Sequence, residues 1–258
     1  VYSIKEFVKG TFLYGALRKF KARKAYRQWT PHDREMREFY SKMLSQGELC
    51  FDVGANVGNR VKIFLKLHAN VIAIEPQHEC ERVLREIYGR NRNVTIVQKA
   101  LGESEGEAEM LISNAHTISS LSPEWIESVR KSGRFSMYTW DKKQVVPVTT
   151  LDRLIAQYGM PSFIKIDVEG YEYQVIRGLS RPARMLSLEF TPEFMESTFN
   201  CIHHLRKLGD IRLNYSIGET MSFGLEKWVG HEEMSKILSN FGNDNKLFGD
   251  VYVQFQVE

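Results

Sequence analysis

From Glu48 onward, short apolar runs alternate with stretches of helical periodicity, and this alternation constrains the fold more than any other feature of the chain. Strands are predicted at Leu49–Val53, Asn70–Ile74, Val94–Lys99, Phe163–Asp167, Met185–Phe190, Leu213–Ile217 and Asp250–Phe255. Helices are predicted roughly over Gly58–Leu67, Gln77–Tyr88, Leu151–Tyr158, Glu172–Gly178, Glu193–Leu208 and Glu232–Asn240. Strand-then-helix repetition of this kind commits a chain to an α/β fold, a mostly parallel sheet with crossover helices on its faces. Between Gly102 and Thr150 the rhythm breaks. A turn at Glu103–Gly106, a strand over Glu107–Ile112, a polar stretch over Ser113–Tyr138 and a strand over Gln144–Thr149 read as an insertion beside the sheet.

The chain has 258 residues, 43% of them hydrophobic, enough to bury a large core without disulfide staples. Its three cysteines, Cys50, Cys80 and Cys201, are odd in number and widely spaced, which suits a reducing, cytoplasmic setting and no zinc or redox pair. Net charge is +3, unevenly placed: residues 1–30 carry eight Lys or Arg against the single acid Glu6. In that segment Ile4, Phe7, Val8, Phe12, Leu13, Leu17 and Phe20 recur at helical spacing. The chain therefore divides into a basic amphipathic helical extension over residues 1–47 and a main domain over 48–258. The extension either packs on that domain or makes peripheral contact with an anionic membrane through residues 1–30. The rest of the chain is net acidic, which argues against nucleic acid as a partner.

The most informative stretch is Phe51-Asp52-Val53-Gly54-Ala55-Asn56-Val57-Gly58. A strand running into a glycine-bearing turn and then a helix presents backbone N–H groups at the carboxyl edge of the sheet, where nucleotide-like ligands bind. Glu75 ends the neighbouring strand 21 residues after Gly54, the placement of an acid that accepts both hydroxyls of a ribose. The three-glycine pattern of dinucleotide sites is missing, so NAD is disfavoured.

Four blocks resemble the FkbM family of class I S-adenosylmethionine-dependent methyltransferases. They are residues 51–58, Ile74-Glu75-Pro76, Lys99-Ala100-Leu101-Gly102, and Thr150-Leu151-Asp152-Arg153-Leu154 leading to Ile164-Lys165-Ile166-Asp167-Val168-Glu169-Gly170-Tyr171-Glu172. One departure is Asn59-Arg60-Val61, where such proteins often carry a small hydroxyl residue entering the helix. The resemblance implies a Rossmann-like fold with a mostly parallel seven-stranded sheet and helices on both faces. It also implies S-adenosylmethionine as cofactor and O-methylation of a hydroxyl on a sugar, glycan or other small molecule.

Carried onto this sequence, Asp52 would orient the turn or take the methionine ammonium, and Gly54, Asn56, Gly58 and Asn59 would line the methionine and ribose side. Glu75 and Pro76 would flank the ribose, and Lys99, Ala100 and Leu101 the adenine. Asp167, also on the cofactor, and Glu169 are the candidates to orient the acceptor hydroxyl and take its proton, with Lys165 as their charge partner. If the strand stays extended, Lys165, Asp167 and Glu169 share a face. Glu189 is a weaker candidate on the acceptor side. His116, Thr117, Ser119 and Ser120 are candidates to touch the acceptor, with Trp125 and Tyr138 as walls. Adjacent His203 and His204 cannot form a helical metal pair. Asp167, Glu169 and Glu189 offer hard oxygen ligands, but no spacing requires a metal. Two other readings stay open: a lipid-linked or macromolecular substrate recruited by residues 1–30, and a non-catalytic binding module.

Overall fold

The computed structural model describes residues 28–242 and 244–256. The apolar stripe of the amphipathic segment lies outside them. The described chain opens with α1 (Pro31–Tyr40), capped by Thr30. The Thr30 hydroxyl accepts from the Asp33 N–H and the Asp33 carboxylate accepts from the Thr30 N–H, so one residue pair satisfies two free donors. There follow β1 (Leu49–Val53), α2 (Asn59–Lys66), β2 (Asn70–Ile74), α3 (His78–Tyr88), β3 (Val94–Val97), β4 (Ala100–Leu101), β5 (Gly106–Ile112), α4 (Pro123–Ser132) and β6 (Lys142–Thr149). The remainder comprises α5 (Leu151–Tyr158), β7 (Phe163–Ile166), α6 (Glu172–Arg177), β8 (Met185–Phe190), α7 (Met195–Leu208), β9 (Ile211–Ile217), α8 (His231–Ser239) and β10 (Gly249–Phe255).

Seven strands form one sheet in the order β3-β2-β1-β7-β8-β10-β9, parallel except that β10 runs antiparallel to both neighbours. The expected α/β architecture is therefore present. Chain order reverses between β1 and β7, the crevice where open sheets of this type bind ligands.

Side-chain alternation divides the core into two layers. Phe51, Val53, Ile164, Ile166, Leu186 and Leu188 pack against α5, α6 and α7 on one face. Cys50, Val71, Ala73 and Phe163 pack on the other face with Met36, Phe39 and Tyr40 of α1 and Val61 and Phe64 of α2. Burial of each Val, Ile, Leu, Phe or Met among them contributes about 1.5–3 kcal/mol. On this second face Asp52 and Lys165 are direct cross-strand partners. Polar residues thus replace apolar ones where the two central strands end.

Three differences from the sequence expectations have local causes. Strand β3 stops at Val97 instead of Lys99, because Ala100 and Leu101 leave the main sheet to pair with Val148 and Thr149 of β6. The polar stretch 113–138 contains α4, capped by the Ser122 hydroxyl, which accepts from the Trp125 N–H. Its only buried anchors are Trp125, Ile126 and Val129, too few to give a visible apolar stripe. Helix α7 starts at Met195, not Glu193, because Pro192–Phe194 forms a 3-10 turn first. There the Arg134 guanidinium meets Glu193 at 2.5 and 2.8 Å and the Leu247 carbonyl at 2.6 Å, fastening the insertion to the main domain. Among the described residues no helix is long and apolar enough to cross a membrane.

Candidate cofactor and active site

A cavity of about 260 Å³ opens at the carboxyl ends of β1, β2 and β7. The turn after β1 forms its floor. Gly54 sits at φ +81°, and a Cβ there would lie 1.9 Å from the Asp167 carbonyl oxygen, so the two strand ends meet this closely only around glycine. Asn56 also adopts positive φ, at +50°. Its side chain accepts from the Val57 N–H and donates to the His116 carbonyl.

Glu75 is 2% exposed and spans two backbone donors. One oxygen accepts from the Asn56 N–H and the other from the Gln77 N–H, each at 2.7 Å. Burial lifts its carboxyl to about 7 against the pull of these two hydrogen bonds. The acid at the end of β2 therefore fixes the turn after β1 and belongs to the cavity lining.

Beyond β7 the chain does not stay extended. Glu169 adopts φ +55°, and this reversal, not strand alternation, returns its carboxylate to Asp167. The loop is held twice: the Ser120 hydroxyl donates to the Glu169 carbonyl at 2.6 Å, and Glu172 accepts from the Val168 and Gly170 N–H groups. One oxygen each from Asp167, Glu169 and Glu189 lies within 4.8 Å of the others. Lys165, 3% exposed, donates to Asp167 at 2.6 Å. Burial raises the Asp167 carboxyl, but Lys165, Arg60 and a hydrogen bond with Glu189 together outweigh it and hold Asp167 below the usual range. Burial and the neighbouring carboxylates push Glu169 and Glu189 well above theirs. The three oxygens have the spacing of a divalent-cation site, although Lys165 already neutralises one of them.

At the opposite end Lys99, Ala100, Leu101 and Met110 line the cavity beside Pro76 and Gln77. Thr117, Ser119 and Leu121 of the insertion close it from above.

Over residues 52–243 the sequence matches the family model described as the methyltransferase FkbM domain. The chain belongs to the FkbM methyltransferase family. No curated protein matches it in sequence. Among solved structures it is similar to a precorrin-6y C5,15-methyltransferase from Geobacter metallireducens, with 12% identity, TM-score 0.44 and 86% of each chain covered. It is also similar to an O-methyltransferase from Bacillus cereus in complex with SAH, with 10% identity, TM-score 0.45 and coverage of 97% of this chain and 96% of that one.

Within this FkbM methyltransferase the cavity gathers Asp52, Gly54, Asn56, Asn59, Glu75, Pro76, Lys99, Ala100, Leu101, Lys165, Asp167, Glu169 and Glu189. Gly58 is absent from the wall. At φ +90° it packs against Leu84 and Tyr88 of α3, and the Tyr88 hydroxyl donates to its carbonyl. His116 contributes its carbonyl, which ties Asn56 and Gln77, while its ring is not part of the lining. Ser120 supports the Glu169 loop, Trp125 packs on Gly170, and Tyr138 lies on the surface, so these three are not walls of the cavity. Arg60 and Glu219 do line it. The departure at Asn59-Arg60-Val61 marked Arg60; nothing local marked Glu219, which arrives on the turn after β9.

The buried carboxyls give the FkbM methyltransferase a pH signature. Glu75 and Glu172 are lifted from 4.5 to about 7 and Asp52 from 3.8 to about 6, with burial the largest cause. Between pH about 4.5 and 7 the folded chain then binds more protons than the unfolded one, so this contribution to stability falls as pH rises. Asp33, Glu48 and Glu193 are lowered despite partial burial, and their opposite contribution is lost only below that window. The ligand-free protein is expected to show a higher denaturant midpoint near pH 5.5 than near pH 8. Urea titrations at both values check this, and Glu172→Gln should narrow the gap.

Proposed function

We propose that this chain transfers a methyl group from S-adenosylmethionine to a hydroxyl of a neutral, hydroxylated small-molecule or glycan acceptor. The surplus of acid in the cavity carries the reading. Asp52, Glu75, Asp167, Glu169, Glu189 and Glu219 line it against Arg60, Lys99 and Lys165, and the buried Asp52 Oδ2 has no hydrogen-bond partner. A buried acceptor atom without a donor is costly, and a ligand ammonium would supply one. Burial disfavours charge on several of these acids, and the ammonium and sulfonium of the methyl donor would restore it, so the acidic lining matches a cationic ligand.

Bound there, S-adenosylmethionine supplies a methyl carbon activated by its positive sulfur. The residues of the chain do the rest. Glu75 accepts the ribose hydroxyls while its backbone donors fix its orientation. Ala100, Leu101 and Met110 offer an apolar surface for the base. Asp52 receives the ammonium. Asp167, kept ionised by Lys165, orients the acceptor hydroxyl in line with the methyl carbon, and Asp167 or Glu169 takes its proton. Alignment and exclusion of water supply most of the acceleration, and a base adds about 10²–10⁴-fold.

The same carboxylates repel phosphorylated acceptors and nucleic acid. A panel of neutral polyols and sugars, their phosphorylated counterparts and amines, assayed with label in the transferable methyl group, tests the acceptor class. Transfer to neutral hydroxyls is expected. Transfer confined to phosphorylated acceptors or amines would overturn the assignment.

The cluster also predicts linked proton release. Burial and the neighbouring carboxylates disfavour charge on Glu169 and Glu189 and raise their pKa well above the usual range. A sulfonium placed beside them lowers their pKa, so S-adenosylmethionine should release more protons on binding than S-adenosylhomocysteine, which lacks that charge. Calorimetry in two buffers of different ionisation enthalpy reads the difference, and equal release for both ligands would contradict the placement.

A further inference from the structure

We infer that Arg60 is the anchor for the α-carboxylate at the amino-acid end of the methyl donor. The inference rests on the reading of the cavity as an S-adenosylmethionine site and goes beyond it by assigning the one anionic group of that ligand. A carboxylate entering a cavity lined by six acids needs a cation. Three cationic side chains line the wall: Lys99, Lys165 and Arg60. Lys99 lies beside Ala100 and Leu101, at the end remote from β7. Lys165 is 3% exposed and committed to Asp167 at 2.6 Å.

Arg60 differs from both. It is the second residue of α2, directly after the turn that forms the cavity floor. Its Nη2 donates to both oxygens of Glu219 at 2.7 Å, which holds the guanidinium at the wall. Its Nη1 meets the Met36 thioether at 2.9 Å, a weak acceptor, the Tyr40 hydroxyl lies against the guanidinium, and the Nε–H is buried with no hydrogen-bond partner. Tyr40, Asp250, Asp52, Asp167 and Lys165 are its other polar neighbours. A guanidinium carries five donors in a planar fork suited to a carboxylate, and Glu219 occupies only one edge of this one, leaving the Nε–H without an acceptor.

The adjacent helix end reinforces the choice. Helix α2 has no side-chain cap at Gly58, so its first turn adds a partial positive charge at the same place. With Glu75 fixing the ribose on the β2 side, the amino-acid chain would extend across the tip of β1, with Asp52 for the ammonium and Arg60 for the carboxylate. Glu219 opposes an anionic acceptor here, while a ligand whose carboxylate is balanced by its own ammonium is tolerated.

The test compares S-adenosylhomocysteine with its decarboxylated analogue, which keeps the ammonium and lacks only the carboxylate, on wild type and Arg60→Met by calorimetry. Arg60→Met is expected to weaken S-adenosylhomocysteine about 10- to 100-fold, the range for losing one charged hydrogen-bonding partner. The decarboxylated analogue should bind both proteins within about twofold by the logic of a double-mutant cycle. Unchanged binding of the analogue also reports that the variant is folded. If Arg60→Met does not fold, Arg60→Lys keeps the charge without the fork and should lose a smaller factor for S-adenosylhomocysteine alone. Equal weakening of both ligands, or of neither, overturns the inference and leaves the cofactor reading standing. Failure of wild type to bind S-adenosylhomocysteine at all overturns the cofactor reading and this assignment with it.

Discussion

Glu75→Ala is expected to weaken S-adenosylhomocysteine binding about a hundredfold. The two ribose hydroxyls would each donate to Glu75 and favour its ionised form, and hydrogen bonds to charged groups contribute about 1.5–3 kcal/mol apiece, part of which goes to ionising a carboxyl lifted to about 7. A second effect runs through the protein. The same carboxylate accepts from the Asn56 and Gln77 N–H groups, and its removal leaves both without that acceptor in a buried setting. Stability should therefore fall by about 1–3 kcal/mol as well. Glu75→Gln separates the two effects, because an amide oxygen can still accept from one backbone donor while its NH₂ cannot accept from the ribose. Titration calorimetry read beside urea midpoints distinguishes them. An unchanged affinity in Glu75→Ala would remove the ribose assignment.

Asp167→Asn is expected to lower the rate of methyl transfer by about 10²–10⁴-fold, the range for loss of a positioned proton acceptor. Binding of S-adenosylhomocysteine should stay within about tenfold of wild type, since Glu75, Asp52 and the turn are untouched. The substitution keeps shape and removes charge, leaving the buried Lys165 ammonium without its 2.6 Å partner. A second comparison guards against a purely structural loss. Glu169→Gln removes the other candidate acceptor of the proton while leaving Lys165 paired with Asp167. If Asp167 takes the proton, the Asn variant loses its pH dependence of turnover and Glu169→Gln retains it; the reverse pattern assigns the proton to Glu169. Single-turnover rates across pH supply the comparison. Full turnover in both variants would show that neither carboxylate serves the reaction.

Much of this arrangement was legible from local sequence. The turn of residues 51–58 and the acid at position 75 could be read because strand ends, glycine and residue spacing are properties of short segments. The charged block around Asp167 was readable from its motif. Its geometry was not: extended alternation would place Lys165, Asp167 and Glu169 on one face, whereas Glu169 returns through a left-handed backbone held by Ser120, 49 residues away. Gly58 shows the converse, a motif residue whose observed contacts are with Leu84 and Tyr88. The Arg60–Glu219 pair joins positions 159 residues apart, brought together only when β9 is added to the far edge of the sheet. No local pattern encodes such a contact, and α4 was equally hidden by its few apolar anchors.

The most direct test of the central claim is calorimetric titration of the purified full chain with S-adenosylhomocysteine, with NAD as the control. The cavity at the ends of β1, β2 and β7, with Glu75 at its wall and no three-glycine phosphate turn, predicts micromolar binding of S-adenosylhomocysteine and none of NAD. Binding of NAD in its place, or of neither ligand, would contradict the account.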